Sequence, residues 1–359
     1  MNTIPTTFNN ILPSYTAVGG TERRASTGLS ALVLNRGGRY PRYSFFEELE
    51  KAGFDYILSM EGSSSRYDLE ALAGDFPFVR FILLKEPVSP GEEINIAATE
   101  LSSPLLFVLW SDLKIVRSGE AGRMAERLFC EEAHSQGEES RSPYKRLCTV
   151  PLIQDSMQET MPTLITPALI SEKKTVRSIK TIPFFSRDEG VPSLYPFDGV
   201  GIYDRERFIR LGGFDSSIKS FHWQLLDFGF RSSLWGEKIA STRFIKLKYD
   251  GSIPKKDSTA EDGYKRFFLK NMAPVFRGDY AHIPLRRFPW YWLKMGNDMF
   301  SAWKEFSAAR EWVKTNRYRF TSDARTVVER WETLAALGDN HESHQESSAE
   351  KEASGKDMT

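Results

Sequence analysis

Two acidic residues in the first half of the chain each follow a mostly apolar run, where a carboxylate could bind a ligand. Glu61 follows the run 55–60, and Asp112 follows the run 105–110 with only Ser111 between them. An Asp at such a position can begin a turn by accepting a hydrogen bond from its own backbone. It can also coordinate a hard cation such as Mg²⁺ or Mn²⁺, because these ions prefer carboxylate oxygens.

The second half contains residues that could carry acid–base chemistry. His222 and Asp227 lie in one segment with a helical pattern, and either side chain could accept a proton from a substrate hydroxyl. Asp227 could instead pair with Arg231 one helical turn later. His222 could be a half-buried structural histidine beside Trp223. His282 is a further candidate metal ligand, although a lone histidine is more often structural.

The elements that must position Glu61 and Asp112 alternate along the first half of the chain. Alternation of strands with crossover helices predicts an α/β fold with a mostly parallel sheet and helices on both faces. Ligands of such sheets bind at the carboxyl ends of the strands, where both acids are expected. The predicted strands are 29–34, 55–60, 79–84 and 104–110, and the predicted helices are 43–53, 66–74 and 91–101.

The second half is less regular. The stretch 199–218 predicts a strand, a short helix from Asp204 to Leu211 and a Gly-Gly turn. The stretch 222–239 predicts a helix that stops at a glycine.

Composition excludes several classes of function. The 359 residues include 48 Lys and Arg and 48 Asp and Glu, so the net charge of zero does not favour a nucleic-acid partner. Two cysteines are too few for a secreted disulfide framework, which favours a reducing, cytoplasmic location. The sequence shows neither a secretory signal nor the run of about 18 apolar residues that a membrane-spanning helix needs.

Changes in composition predict four regions. Residues 1–26 are expected to form a flexible arm, and 27–280 the α/β domain. Residues 281–337 form an aromatic-rich helical extension, and the polar, acidic tail 338–359 is expected to be disordered.

The aromatic extension has two interpretations. Trp and Tyr interleaved with Arg suit peripheral contact with the inner face of a membrane, where a lipid-linked acceptor would be met. The favoured alternative is a packing stripe of Phe300, Trp303, Phe306 and Val313 on helices that dock against the main domain.

Residues 29–240 resemble the family 2 glycosyltransferases, which have the GT-A fold. Glu61, Gly62 and Ser63 match an acidic-Gly-Ser pattern whose carboxylate reads the nucleobase in that family. Asn95 matches a family Asn on the helix before the fourth strand. Asp112 matches the last acid of the family's Asp-x-Asp motif, which holds the divalent ion, while Trp110 replaces the first acid.

The closest match to that family lies on the acceptor side. Gly212, Gly213, Phe214 and Asp215 reproduce the family's Gly-Gly-Phe-Asp segment. A helix with an acid, an Arg and a terminal Gly follows in the family, and Asp227, Arg231 and Gly236 supply that pattern.

One departure concerns the catalytic base. The family carries Glu-Asp just before the acid that matches Asp227, and one of that pair accepts the acceptor proton, whereas this chain has Gln224 and Leu225. Asp227 or His222 could replace the missing base.

The resemblance implies an inverting, metal-assisted transfer of a sugar from a nucleotide diphosphate, a UDP-sugar, to a glycan or lipid-linked acceptor. The alternative is a catalytically impaired relative that binds a sugar nucleotide or a partner glycosyltransferase. A nucleotidyltransferase is a weaker third interpretation, because the stretch 34–41 only loosely matches the phosphate loop of those enzymes.

Overall fold

A nine-stranded mixed sheet lies at the centre of the protein, whose structure is a computed structural model. The structure describes residues 13–20, 22–23, 25–36, 43–62, 69–116, 121–134, 146–172, 176–249, 262–295 and 298–331. The strands within these ranges are β1 (Tyr15–Gly19), β2 (Leu29–Leu34), β3 (Ile57–Glu61), β4 (Val79–Leu84), β5 (Leu105–Trp110), β6 (Leu113–Ile115), β7 (Cys148–Gln154), β8 (Leu164–Glu172), β9 (Val176–Phe184), β10 (Gly201–Asp204), β11 (Ile239–Tyr249), β12 (Val275–Arg277) and β13 (Tyr280–His282).

Helices connect most of these strands. Within the described ranges they include α1 (Tyr43–Ala52), α2 (Leu69–Asp75), α3 (Pro90–Glu100), α4 (Ala121–His134), α5 (Arg205–Leu211), α6 (Phe221–Leu234), α7 (Asp262–Phe267), α8 (Phe288–Met295) and α9 (Met299–Thr315), and residues 324–331 are helical as well. None of the described helices combines the length and the apolar character needed to cross a bilayer.

The sheet order is β1-β4-β3-β2-β5-β10-β7-β11-β6. Strands β4, β3, β2 and β5 run parallel, and β7 and β11 run parallel to each other. Strand β10 lies antiparallel between β5 and β7, so the carboxyl ends of all six parallel strands lie at one edge. Two antiparallel ladders form separate sheets: β8–β9, with nine residue pairs, and the short β12–β13.

The central strands are covered on both faces. Every residue of β2 and of β5 is buried. Because successive side chains of a strand point to opposite faces of the sheet, other elements must cover both faces of these strands. Helix α3 packs on β2 through Ile94, Ala97 and neighbouring apolar residues. Its start is fixed by a capping box, in which Ser89 and Glu92 satisfy each other's backbone amides. The predicted α/β architecture with a mostly parallel sheet is therefore confirmed.

The structure corrects one prediction about the sheet and adds the direction of a second strand. Residues 15–19, which the sequence assigns to a loose arm, form β1 and pair antiparallel with β4. Only part of β1 is covered, so its sequence carries little hydrophobic alternation that could have revealed it. The predicted strand near residue 200 is β10, which pairs antiparallel with β5 and with β7. Local sequence does not predict this direction, because both partners come from distant parts of the chain.

The C-terminal extension packs as helices α8 and α9. Phe306 and Val313 of α9 are fully buried, and the Phe306 ring lies 5.4 Å from that of Phe288 and 6.0 Å from that of Tyr291. The predicted packing stripe is thus confirmed for these two α9 residues, whereas Phe300 and Trp303 are exposed. The predicted disordered tail, 338–359, lies outside the described residues.

Candidate functional site

A guanidinium group bridges two carboxylates at the carboxyl edge of the sheet. Arg36 Nε donates to Asp112 Oδ2 at 3.0 Å, and the Arg36 Nη2 group donates to Asp198 Oδ2. The Tyr249 hydroxyl donates to the same Asp198 oxygen at 3.1 Å. The guanidinium carbon lies 4.0 Å from the centroid of the Trp110 ring, a cation–π contact.

The sheet register brings Arg36 and Asp112 together. Leu34 pairs with Trp110 in the parallel β2–β5 ladder, and the Ser111 amide continues the ladder by donating to the Leu34 carbonyl. The two residues that follow each strand therefore extend from the same edge. Asp112 then begins the crossing to β6, which pairs with the end of β11 and so brings Tyr249 to the site.

Asp198 reaches the site from a strained turn. Its backbone has φ 56° and ψ 22°, a left-handed conformation that is uncommon for residues other than glycine. The Trp110 indole donates to the Asp198 carbonyl at 2.9 Å, and the Tyr203 hydroxyl donates to the Gly199 carbonyl at 2.7 Å. These bonds offset a backbone cost of about 1 kcal/mol or more, and such strained residues cluster at functional sites.

The charges at this edge do not cancel. Arg36 carries one positive charge against the two carboxylates of Asp112 and Asp198. Burial raises the pKa of Asp198 even though the Arg36 guanidinium lowers it. Burial also raises the pKa of the Tyr249 hydroxyl, and the charge of Asp198 adds to this effect. Tyr249 therefore remains a hydrogen-bond donor at neutral pH.

Asp112 has one carboxylate oxygen that fits a cation. Oδ1 is buried and accepts no hydrogen bond from the described residues, while Oδ2 is occupied by Arg36. An unsatisfied carboxylate oxygen beside an excess of negative charge suits a divalent ion. Among the described residues, no group of three or more Asp, Glu, His or Cys side chains gathers at a possible metal site. Asp112 Oδ1 is therefore a candidate ligand, and the described residues place no group of three or more such side chains around it.

Glu61 lies at the same edge, one strand away from Arg36. Strand β2 separates β3 from β5, so the ends that carry Glu61 and Asp112 are two inter-strand spacings, about 10 Å, apart. The Ser59 hydroxyl donates to Glu61 Oε1 at 2.8 Å, and the Glu61 side chain is 1% exposed. Ser63, the neighbouring residue of the predicted nucleotide site, lies outside the described residues.

A second glutamate approaches Glu61 from α3. Burial raises the pKa of Glu93 to about 8, and the negative charges of Glu61 and Glu92 contribute to the increase. Glu93 Oε2 is buried and has no hydrogen-bond partner among the described residues. At neutral pH, Glu93 is thus a protonated carboxyl that can donate a hydrogen bond next to an acid that can accept one.

Asn95 does not face this edge. Its Nδ2 donates to the Phe214 carbonyl at 2.8 Å, and its Oδ1 accepts from the Phe214 amide at 2.9 Å. Gly213 has φ 62°, and a Cβ at that position would lie 2.2 Å from Asn95 Oδ1. This geometry favours a structural role, in which Asn95 fastens α3 to the Gly-Gly-Phe-Asp segment, over the nucleotide contact that the sequence predicts.

The predicted acceptor-side and catalytic acids lie in a buried ionic cluster. Lys270 Nζ lies 2.9 Å from Asp215 Oδ2 and 2.7 Å from Asp227 Oδ1, and all three side chains are almost fully buried. Arg266 also pairs with Asp215 at 2.6 Å, and Arg231 pairs with Asp227 at 2.9 Å. Burial alone would raise the pKa of Asp227, but the charges of Lys270 and Arg231 lower it below its usual range.

The geometry of this cluster disfavours a catalytic role for Asp227 and an acceptor-side role for Arg231. A base must reach a substrate hydroxyl, whereas Asp227 has no exposed surface and also accepts from Asn271 Nδ2 at 2.8 Å. Arg231 is equally buried and donates to the Leu211 and Gly213 carbonyls. The geometry favours structural roles for the acids and for Arg231, because the cluster holds the Gly212–Asp215 turn against α6.

His222 is better placed than Asp227 for proton transfer. It lies half-buried in the first turn of α6, with its ring 5.1 Å from that of Trp223. The ring of the preceding residue, Phe221, lies 6.4 Å from the Trp110 ring, which adjoins Arg36 and Asp198. The amino end of α6 therefore adjoins the charged edge of the sheet.

Gln224 and Leu225, which stand where the resembling family has its base, are both buried in the protein interior. Gln224 is buried, and its Nε2 donates to Ser89 Oγ at 2.7 Å and to the Asp215 carbonyl at 3.3 Å. Leu225 is buried as well. Neither residue offers a proton acceptor to a substrate.

The surroundings of His282 do not suit a metal ligand. Burial lowers the pKa of His282, and the positive charges of Arg277, Arg310, Arg286 and Arg287 lower it further. Four nearby cations disfavour the approach of a metal ion. His282 belongs to the β12–β13 ladder, which stands apart from the sheet that carries Asp112.

Sequence reasoning missed Arg36, Asp198 and Tyr249. Arg36 follows the first predicted strand by two residues, a position at the carboxyl edge that could have drawn attention to it. Asp198 precedes a glycine, which indicates only a turn. No local pattern reveals that these residues meet, because 162 positions separate Arg36 from Asp198.

Comparison with known proteins finds similarity among solved structures. No family model matches the chain, and no curated protein matches its sequence. GalNAc-T7, solved with UDP, GalNAc and Mn²⁺, aligns over 68% of this chain and 48% of its own, with 12% identity and a TM-score of 0.47. S. aureus TarS 1-349, in complex with UDP-GlcNAc, aligns over 67% of this chain and 65% of its own, with 13% identity and a TM-score of 0.44. In both cases this chain spans less than two thirds of the other protein.

Proposed function

We propose that the protein is a glycosyltransferase with a GT-A-like domain, which moves a sugar from a UDP-sugar to a glycan or lipid-linked acceptor with inversion. The observation that carries this proposal is the convergence of Arg36, Asp112, Asp198 and Glu61 at one edge of a parallel sheet. Ligands of such sheets bind at this edge, and a nucleotide diphosphate needs both a base-reading group and charge complementarity.

The donor would lie along the ends of β3, β2 and β5. Glu61 would accept a hydrogen bond from the imide N–H of uracil, and the neutral Glu93 carboxyl beside it can donate to a ring carbonyl. Arg36 Nη1 makes no hydrogen bond to the described residues, so it is available to a phosphate oxygen. A local opening must accompany binding, because Glu61 is buried.

Asp112 Oδ1 would hold the Mg²⁺ or Mn²⁺ ion that the proposal includes. When bound, such an ion neutralises the charge that develops on a departing diphosphate. The planar guanidinium of Arg36 would orient the same phosphates through its N–H donors. The Trp110 ring, which stacks against the guanidinium, would hold it in place.

His222 is the residue that we propose as proton acceptor for the acceptor hydroxyl. Its support is the position in the first turn of α6, next to the Phe221–Trp110 contact. Asp227 is a poor alternative, since Lys270, Arg231 and Asn271 already satisfy its oxygens.

One observation favours the second candidate function, a catalytically impaired relative that binds a sugar nucleotide or a partner glycosyltransferase. Gln224 and Leu225 stand where the resembling family has its base, both are buried, and Gln224 donates to Ser89 at the start of α3. A protein with this arrangement can keep a nucleotide site and lack efficient turnover.

Calorimetric titration with UDP, with and without Mn²⁺, tests the donor site. We expect Mn²⁺-dependent binding that weakens at least about tenfold in Asp112→Asn, because one ligand oxygen loses its charge. Asp279→Asn is the matched control, since Asp279 is exposed in the β12–β13 turn and should leave binding unchanged. If UDP does not bind with or without Mn²⁺, the UDP-sugar transferase and the sugar-nucleotide form of the second candidate are both wrong.

Turnover of UDP-sugars then separates the two candidates. Loss of a general base slows a reaction by roughly a hundred- to ten-thousand-fold, and we expect a decrease of this size in His222→Ala with unchanged UDP affinity. Full activity of His222→Ala would exclude His222 as the proton acceptor. Binding without turnover in the wild-type protein would support the non-catalytic candidate.

A further inference from the structure

The corner where α8 meets α9 exposes large apolar side chains. We call Leu285, Leu293, Met299, Phe300 and Trp303 the α8–α9 apolar corner. Phe300 is 78% exposed and Leu293 is 75% exposed, and the other three members are each close to half exposed. Scattered exposed apolar residues are normal, whereas a contiguous group usually marks an interaction surface.

The members of the corner are neighbours on the fold. Trp303 lies four residues after Met299 and three after Phe300 in the first turns of α9, so its side chain neighbours both on that helix. The Trp303 ring lies 4.9 Å from the Phe288 ring, which places the start of α8 and Leu285 beside it. Leu293 lies in the last turn of α8, six residues before Met299 in the sequence.

Internal packing does not explain this corner. On the same helix, Ala302, Phe306 and Val313 are buried against the rest of the protein, so the apolar stripe of α9 is wider than its contact needs. Beneath the corner, the Phe268 ring lies 5.5 Å from the Trp290 ring and anchors α8 to the main domain. The exposed residues thus stand on a firmly packed base.

The charges around the corner are mainly positive. Arg286 and Lys304 are exposed, and neither pairs with an acid within the described residues. Asp298 uses its carboxylate to cap α9, where it accepts from the Phe300 and Ser301 amides. Cationic residues that border Trp, Phe and Leu suit an anionic lipid surface, which attracts Lys and Arg and accepts apolar side chains.

We propose that the α8–α9 apolar corner inserts into the surface of a bilayer that contains anionic lipids and holds the protein there as a peripheral membrane protein. Phe300, Leu293 and Trp303 enter the region between headgroups and acyl chains, while Arg286 and Lys304 stay at the level of the headgroups. This inference goes beyond the proposed function and does not depend on the nucleotide site.

Vesicle sedimentation of the full-length protein tests the proposal. The probes are unilamellar vesicles of phosphatidylcholine alone and of phosphatidylcholine with an equal amount of phosphatidylglycerol. We expect the wild-type protein to sediment with the mixed vesicles. The double variant Leu293→Gln, Phe300→Gln should partition at least about tenfold more weakly, because two apolar side chains no longer leave water. Both positions are exposed, so its melting temperature should not change.

Two further variants make the result specific. Met157→Gln with Ile182→Gln removes two exposed apolar side chains elsewhere, 82% and 45% exposed, and should bind vesicles like the wild type. Arg286→Gln with Lys304→Gln should weaken binding about tenfold on the mixed vesicles and leave the weak binding to phosphatidylcholine unchanged.

Several outcomes would overturn the proposal. The wild-type protein could fail to sediment with the mixed vesicles, or the Leu293, Phe300 double variant could bind them as well as the wild type does. The Met157, Ile182 control could also lose as much binding as that double variant. Sedimentation velocity adds another: a wild-type dimer that the Leu293, Phe300 double variant abolishes, without vesicle binding, would assign the corner to a second copy of the chain. Because no nucleotide is present, failure here leaves the glycosyltransferase proposal untouched.

Discussion

At the scale of single residues, the candidate site depends on side chains that balance one another's charge. Arg36 would be costly beside Trp110 without Asp112 and Asp198, and the two acids would repel each other without Arg36. The sequence located Glu61 and Asp112 because each follows a buried strand. It could not locate their partners, because Arg36 and Asp198 meet only through the three-dimensional path of the chain.

Glu93 provides a test of the charge environment next to Glu61. Its pKa is raised to about 8 in the folded protein, above its ordinary value of 4.5, so the folded state holds a proton that the unfolded state releases. This contribution to stability is complete below about pH 4.5, decreases as the pH rises towards 8, and is absent above it. Glu93→Gln keeps the shape and the neutral state at every pH.

We therefore expect Glu93→Gln to gain stability relative to the wild type between pH 5 and pH 8, by at most about 1.4 kcal/mol for each pH unit. Urea denaturation at a series of pH values measures this difference. Glu70→Gln is the control, since Glu70 is an exposed residue in the first turn of α2. A stability difference that does not change with pH would show that Glu93 is ionised in the folded protein.

At the scale of elements, α7 continues into a short π-helical turn, Phe268–Met272, which supplies the central cation of the buried cluster. Lys270 from this turn joins Asp215, which follows α5, to Asp227 of α6. Sequence patterns predicted α5 and α6 almost to the residue, because caps, glycines and periodicity are local. They did not predict the direction of β10, the strand β1 or the cluster, which depend on contacts between distant segments.

Lys270→Met tests how strongly this cluster supports the fold. We expect a loss of about 3–5 kcal/mol in the free energy of unfolding at neutral pH, because two buried carboxylates lose their shared partner. The lowered pKa of Asp227 contributes stability above about pH 4 that is lost as the pH falls. The penalty of the variant should therefore shrink in acid, where the carboxyls are neutral.

Urea denaturation of Lys270→Met at neutral and acidic pH measures both effects. Lys85→Met is the matched control, because Lys85 is exposed at the end of β4 and its replacement should cost less than about 0.5 kcal/mol. Equal small losses in the two variants would mean that the ionic cluster contributes little to stability.

At the scale of the whole molecule, a continuous series of aromatic contacts joins α6, α7, the π-helical turn and α8. Rings of Trp223 and Tyr264 lie 5.2 Å apart, those of Tyr264 and Phe268 lie 6.3 Å apart, and Trp290 follows at 5.5 Å from Phe268. The extension is thus packed onto the helix whose first turn carries His222. The division at residue 280 that composition suggested does not correspond to a gap in packing.

A pair of phenylalanines on α9 tests whether the extension is an integral part of the fold. Phe306→Ala should cost about 3–5 kcal/mol, because Phe306 is fully buried, whereas Phe300→Ala should cost less than about 0.5 kcal/mol. In Phe306→Ala, the melting temperatures measured by circular dichroism and by tryptophan fluorescence should decrease by the same amount. Two separate transitions would show that the extension unfolds independently of the sheet.

The two hydrogen bonds between the Asn95 side chain and the Phe214 backbone restrict which residues positions 95 and 213 can hold. An aspartate at position 95 would present only acceptors to the Phe214 carbonyl, which needs a donor. A side chain at position 213 would collide with the Asn95 side-chain amide. A side chain at position 213 therefore requires a shorter residue at position 95, whereas position 95 can become shorter while Gly213 stays. Among homologous proteins, a side chain at position 213 should accompany a shorter residue at position 95.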